Sequence, residues 1–181
     1  MSDQPQRNVE LKAHNPDPLN SIAVCQALDA VDSGIIKQRD TYFEVSNGRL
    51  KLREEQPGQA HLIQYHREDA AKERLSAYRI VEIADPETLR TALSEALGVK
   101  ITVVKARHLF LWQGVRIHLD QVEGLGSFIE LEAVTAPGSD LSNEYRLIEA
   151  LRRAFAIADD QICAISYSDL LERALSSASE H

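Results

Sequence analysis

RIHLDQVEGLGSFIELE, residues 116–132, is the stretch that decides the fold. Two runs of strict alternation meet there across a glycine-containing turn, the signature of a β-hairpin. In the first run Arg116, His118 and Asp120 fall on one face and Ile117 and Leu119 on the other. In the second, Phe128, Glu130 and Glu132 oppose Ile129, Leu131 and Ala133, because successive side chains of a strand point to opposite sides. One face is charged and the other apolar. Gly124 and Gly126 are turn glycines that permit positive φ, and VEGLGS is no phosphate loop because no helix follows it.

The same alternation recurs along the chain. RNVELKA (7–13) sets Asn8, Glu10 and Lys12 against Val9 and Leu11, and RLKLRE (49–54) sets Arg49, Lys51 and Arg53 against Leu50 and Leu52. VKITVVKARHLFLW (99–112) puts Lys105 and Arg107 on one side, and Val104, Ala106 and His108 on the other. A single such strand is an ordinary sheet surface facing water. Many strands with rows of Arg beside Glu depart from the Thr, Ser and Gln that solvent-facing strands prefer. The pattern predicts a closed or nearly closed antiparallel barrel of the α+β class, with a polar lumen and helices outside.

Between these strands the punctuation is regular. Residues 1–6 form a loosely held head, and Asn15-Pro16-Asp17-Pro18 turns the chain into a helix running to about Asp32 and stopped by Gly34. Ile35–Val45 is a strand joined by Asn47-Gly48 to RLKLRE. His61–Arg67 is the next strand, Glu68–Arg74 a loop, and Leu75–Ile83 another strand. Asp85-Pro86-Glu87 starts a helix that Gly98 ends. Asn143 or Ser142 caps a helix from Glu144 to about Ile157, a last short helix covers Tyr167–Leu175, and residues 176–181 fray. With no repeats, residues 7–175 are expected to form one domain.

Composition narrows the function. The 181 residues carry a formal net charge of −8, which argues against nucleic-acid or anionic-membrane binding, since both need surplus external Lys and Arg. Cys25 and Cys163 lack metal-type spacing, and the polar start of the chain contains no signal core or spanning segment, so a cytoplasmic protein is expected. The apolar outer wall of the barrel needs cover from helices or from a second subunit in a homodimer. The lumen faces together offer Lys12, Arg49, Lys51, Arg53, Lys105, Arg107 and Arg116 against Glu10, Asp120, Glu130 and Glu132. Unpaired buried charge is costly, so a polyanion with divalent metal would complete the balance. Arg forks and Lys point charges suit phosphate oxygens, and clustered carboxylates suit Mg²⁺ or Mn²⁺.

NVELK (8–12), RLKLR (49–53), VKAR (104–107) and LDQVEGLGSFIELE (119–132), in that order, resemble the CYTH or triphosphate tunnel metalloenzyme superfamily. The LGxFxEhE ending is most similar to the class IV adenylyl cyclase branch. The resemblance implies an eight-stranded antiparallel tunnel and a metal-dependent enzyme acting on a triphosphate, by cyclising ATP or by hydrolysing a triphosphate. It implies Glu10, Lys12 and Asp120 as catalytic residues, and Lys12, Lys51, Arg53, Arg67, Lys105, Arg107 and Arg116 as phosphate contacts. Glu10, Asp120, Glu130 and Glu132 would hold Mg²⁺ or Mn²⁺. The chain departs from the superfamily's ExExK pattern at Asn8, which offers a metal only a neutral carbonyl oxygen. A non-catalytic triphosphate-binding tunnel is the reading that departure leaves open. His118, on the lumen face, is either a proton carrier or a hydrogen-bonded structural residue. Tyr78 is expected to pack in the wall or stack on a base, while His66 and His108 are expected at spacer or surface positions.

Overall fold

The computed structural model describes residues 6–67, 74–136 and 138–178. Eight antiparallel strands run β1 (Gln6–His14), β2 (Val31–Phe43), β3 (Arg49–Gln56), β4 (Ala60–Arg67), β5 (Arg74–Ile83), β6 (Val99–Trp112), β7 (Val115–Val122) and β8 (Gly126–Val134). Their spatial order is β1-β5-β4-β3-β2-β6-β7-β8, and β1 pairs with β8 to close a barrel. Closure leaves no free edge for another chain to pair with. The opening hairpin is the β7–β8 pair, with Arg116 opposite Glu132, His118 opposite Glu130 and Asp120 opposite Phe128. Register thereby fixes which side chains share the lumen, because a slip of one residue would turn every charge outward.

Four helices accompany the barrel: α1 (Pro18–Ala27), α2 (Pro86–Leu97), α3 (Ser142–Ala154) and α4 (Tyr167–Ala178). The outward apolar side chains of β1, β7 and β8, among them Val9, Ile117 and Leu131, pack with Leu147, Ile148 and Leu151 of α3 and Cys25 of α1. Leu131, Ile148 and Leu151 are fully buried, each contributing about 1.5–3 kcal/mol of apolar transfer free energy. A second apolar cluster forms where α4 docks, with Tyr42, Ile63, Tyr65, Val103, Phe128 and Tyr167 packed together. Gly124 shows why the hairpin turn needs glycine: its φ is +76° and an added Cβ would lie 3.2 Å from Leu171 of α4. No helix among the described residues is long and apolar enough to cross a membrane.

Several boundaries differ from the sequence reading. Helix α1 ends at Ala27 rather than near Asp32, because Asp29 turns the backbone to φ 53° and β2 already begins at Val31. Gly34 does not stop a helix; it lies inside β2 at φ +85°, where the β2–β6 register shifts between Asp32 and Ile35, so it serves a bulge. Strand β2 ends at Phe43, short of Val45. Neither Ser142 nor Asn143 caps α3: its N-cap is Leu141, and the Ser142 hydroxyl is bonded to Asp140. Helix α3 ends at Ala154 before Ile157, whereas α4 continues to Ala178, past Leu175. Strand β5 begins at Arg74. Of the head expected at 1–6, the loop at 68–74 and the frayed tail at 176–181, residues 1–5, 68–73 and 179–181 lie outside the described residues, while Gln6 belongs to β1 and residues 176–178 to α4.

Candidate active site

Inside the barrel lies a cavity of about 810 Å³, a volume within the range of small-molecule sites. Lys12 of β1, Lys51 and Arg53 of β3, Lys105 and Arg107 of β6 and Arg116 of β7 all line it, as do Glu10 of β1 and Glu130 and Glu132 of β8. Alternation along five strands delivers these groups to one space. The Arg67 side chain lies outside the described residues.

Two corners of the lumen are built alike. On β3, Arg53 donates from Nε and Nη2 to Asp40 at 2.7 Å each, and Lys51 donates to the same carboxylate at 2.8 Å. On β6, Arg107 donates from Nε and Nη2 to Asp120 at 2.7 and 2.6 Å, and Lys105 reaches it at 3.4 Å. Each is a Lys-x-Arg strand facing an Asp directly across the ladder, Asp40 opposite Arg53 and Asp120 opposite Arg107. Burial alone would raise the Asp40 carboxyl, yet Arg53 and Lys51 outweigh it and hold it well below the usual range. At Asp120 burial is likewise outweighed by Arg107 and Lys105, leaving the carboxyl at about 2. Lys105 is pushed down to about 8, chiefly by burial and then by repulsion from Arg107. Tyr167 at the start of α4 ties in the second corner. Its hydroxyl donates to Asp120 at 3.0 Å, and its ring lies 4.4 Å below the Lys12 ammonium and 4.9 Å from that of Lys105.

The acidic side of the lumen is where β1 meets β8. Glu10 stands opposite Glu132 and Lys12 opposite Glu130. Glu130 accepts from Arg107 at 2.5 Å and lies 4.0 Å from Lys12; although burial opposes it, Arg107 foremost keeps this carboxyl well below the usual range. Glu132 accepts from the Asn8 amide and sits 3.2 Å from Arg116. His118 is 3.9 Å from Glu130 and 4.0 Å from Glu132, and burial, then Arg107, pushes its pKa down, so it is neutral near pH 7. Among the described residues no three His, Cys, Asp or Glu side chains are gathered for a metal ion. Arg107 bridges Glu130 and Asp120, and both Asp120 oxygens are occupied, Oδ1 by Arg107 and Oδ2 by Arg107, Lys105 and the Tyr167 hydroxyl. The Asn8 Oδ1 is buried with no described hydrogen-bond partner, while its amide nitrogen is committed to Glu132. An oxygen acceptor so oriented, with Glu132 and Glu10 beside it, is a donor set suited to a hard divalent cation.

Some placements differ from the sequence reading and others match it. Arg49, summed above with the lumen cations, instead binds Asp169 at 3.0 Å and Ser166 at 2.8 Å, fastening β3 to α4. Asp40, Gln38 and Glu55 also line the cavity and are absent from the candidate set above, although alternation along IIKQRDTYFEV puts Gln38 and Asp40 on one face with Tyr42. Corrected for these, the lumen strands balance: Lys12, Lys51, Arg53, Lys105, Arg107 and Arg116 face Glu10, Asp40, Glu55, Asp120, Glu130 and Glu132. The expected excess of cations is absent among the described residues. Tyr78 packs against the apolar cluster and its hydroxyl lies 3.4 Å from the Asn8 amide. His108 is outside the lumen, paired with Asp32 at 2.8 Å and tilted over Phe110. The His66 side chain lies outside the described residues.

A closed antiparallel barrel whose lumen carries charged side chains of both signs defines a recognisable class. The CYTH domain model matches residues 6–161, and the chain belongs to the CYTH family. A search of curated proteins returned no match. Among solved structures, a Pyrococcus horikoshii OT3 protein is similar at 23% identity and a TM-score of 0.80, covering 90% of this chain and 98% of that one. A candidate adenylate cyclase from Vibrio parahaemolyticus is similar at 22% identity and a TM-score of 0.78, covering 93% and 99%. A candidate adenylyl cyclase from Hippeastrum, described as having a dominant triphosphatase activity, is similar at 17% identity and a TM-score of 0.59, covering 84% and 88%.

Proposed function

We propose that the barrel binds a triphosphate chain together with a divalent cation and acts on it enzymatically. The observation that carries this reading is the convergence of six cationic side chains from β1, β3, β6 and β7 on one cavity whose β1–β8 wall is acidic. Because the described lumen charges of the two signs balance, a polyanion needs cations brought with it, as a metal-triphosphate complex supplies. Asn8 Oδ1 and Glu132, with Glu10 and Glu130 drawn in when the ion arrives, would hold Mg²⁺ or Mn²⁺, whose chemistry is to withdraw charge from a phosphoryl oxygen. Lys12, Lys51, Arg53, Lys105, Arg107 and Arg116 would orient the phosphates and hold the charge that develops on them. Arg67 is retained as a further candidate contact. Asp120 is assigned here to positioning Arg107 and Lys105.

Cyclisation of ATP to cyclic AMP and pyrophosphate is the first reading of the reaction, carried by the LGSFIELE motif (125–132). Hydrolysis of a triphosphate is the second, favoured by the activity described for the Hippeastrum protein. Chromatography after incubation with ATP and separately with inorganic triphosphate, in Mg²⁺ and in Mn²⁺, tests both. Cyclic AMP with pyrophosphate is the expected outcome. Orthophosphate release would replace cyclisation by hydrolysis, and binding without product would leave a non-catalytic tunnel.

Two substitutions probe the assignment. Lys105→Ala is expected to weaken binding of inorganic triphosphate by about 1–3 kcal/mol, the loss of a charge-assisted contact. Unchanged affinity by titration calorimetry would remove Lys105 from the clamp. Asn8→Glu is expected to tighten Mn²⁺ binding about tenfold by adding a charged ligand. In EDTA the same change should lower the melting temperature, since the new carboxylate would face Glu132 with no cation between them. Weaker Mn²⁺ binding would give the Asn8 amide a role of its own.

A further inference from the structure

The lumen contains a polar pair that presents two acceptors to the cavity, an arrangement ill suited to a phosphate chain. Gln38 is only 4% exposed, and its Nε2 donates to Glu55 Oε1 at 2.5 Å across the β2–β3 ladder. A carboxylate only accepts, so the amide nitrogen must face Glu55 and the amide oxygen is turned away from it. That oxygen is buried and meets no described donor. An unsatisfied buried acceptor is costly, and here two acceptors, Gln38 Oε1 and the Glu55 carboxylate, line the ligand cavity side by side. Phosphate oxygens are acceptors too and would be repelled.

The surroundings of this pair also differ from those of the clamp. Ile36, next on the same face of β2, stands opposite Arg107; Leu109 follows Arg107 on β6; and both, with Ile80 of β5, line the same cavity. Gln38 itself stands opposite Lys105. The acceptor pair therefore sits one ladder step from the cationic corner and beside an apolar wall. We propose that Gln38 and Glu55, with Ile36 and Leu109, form a specificity subsite for the organic part of the substrate. The subsite takes a hydroxyl or amino group that donates hydrogen bonds and is attached to an apolar or ring body, and it thereby selects a nucleoside triphosphate over inorganic triphosphate. This rests on the triphosphate reading above and adds to it the part of the ligand that is not phosphate.

The test compares the Mg²⁺ complexes of ATP and of inorganic triphosphate, each with methylene groups in place of its P–O–P bridging oxygens so that no turnover occurs, by titration calorimetry on the wild type and on Gln38→Leu. The wild type should bind ATP the more tightly. Gln38→Leu should weaken ATP roughly five- to tenfold, the scale of one hydrogen bond, and leave inorganic triphosphate unchanged. Glu55→Gln, a milder change, should also weaken ATP alone. An equal loss for both ligands, or no loss for either, overturns the subsite while the triphosphate reading stands. Failure of both ligands to bind the wild type overturns the triphosphate reading and the subsite with it. Free Mn²⁺ measured by electron paramagnetic resonance gives a separate check. Manganese affinity should be the same in wild type and Gln38→Leu; a fall would assign the acceptor pair to a cation and overturn the proposal.

Discussion

Asp40→Asn is expected to cost the fold about 3–5 kcal/mol, the scale of removing one partner from a buried ion pair. The side chain of Asp40 is 4% exposed and serves two cations, Lys51 at 12% and Arg53 at 18% exposure. An amide cannot balance either charge. Thermal unfolding at pH 7 should show a fall of roughly 6–20 °C, at about 2–4 °C per kcal/mol for a chain of this size. The effect should depend on pH in one direction. The folded carboxyl lies well below its ordinary value, so the stability it contributes is present above the unfolded value near 4 and is lost as pH falls through the folded one. The wild type and the variant should therefore converge on acidification below about pH 4. A gap that does not shrink at all between pH 5 and pH 2 would mean that Asp40 acts through packing and not through charge.

Arg107→Lys is expected to reduce affinity for inorganic triphosphate about 10- to 100-fold, corresponding to about 1.5–3 kcal/mol for a lost charged hydrogen bond. Arg107 bridges Asp120 and Glu130 with a single guanidinium. Lysine keeps the positive charge and so protects the fold from an uncompensated Asp120, but one ammonium cannot reproduce a planar fork aimed at two carboxylates and a ligand. Calorimetry gives the affinity, and a melting curve on the same sample separates binding from stability. Affinity equal to wild type would show that only the charge at this position matters.

The barrel was legible because alternation is local. Each of Arg116-His118-Asp120, Glu130-Glu132, Lys51-Arg53 and Lys105-Arg107 declares its face within its own strand, and closure follows from repetition of that pattern. What escaped has physical causes. Gly34 has the same freedom at a helix end as in a bulge, and only the β2–β6 register distinguishes them. Ser142 looks like a cap until Asp140 competes for its hydroxyl. Arg49 alternates in phase with Lys51 and Arg53, but its long side chain is captured by Asp169, 120 residues on. Tyr167 enters the site from a helix docked after the last strand, which no strand pattern announces. The balance of lumen charge is hidden because Asp40 and Glu55 lie on β2 and β3, where neighbouring Arg and Lys dominate the pattern and only the ladder register shows the pairing.

The doubled corner, a Lys-x-Arg strand locked onto an Asp across the ladder, bears on how the lumen meets a ligand. In both corners the guanidinium is already oriented by two hydrogen bonds to its own carboxylate. The side-chain entropy of those arginines is spent during folding, so an arriving anion finds dipoles and charges standing in place and does not have to gather them. The barrel then works as a rigid electrostatic mould with a low reorganisation energy, and loaded and empty forms should superimpose closely along β3 and β6. Motion on binding should instead concentrate in the Glu130 and Glu132 carboxylates, which are tethered to cations that a ligand would also seek.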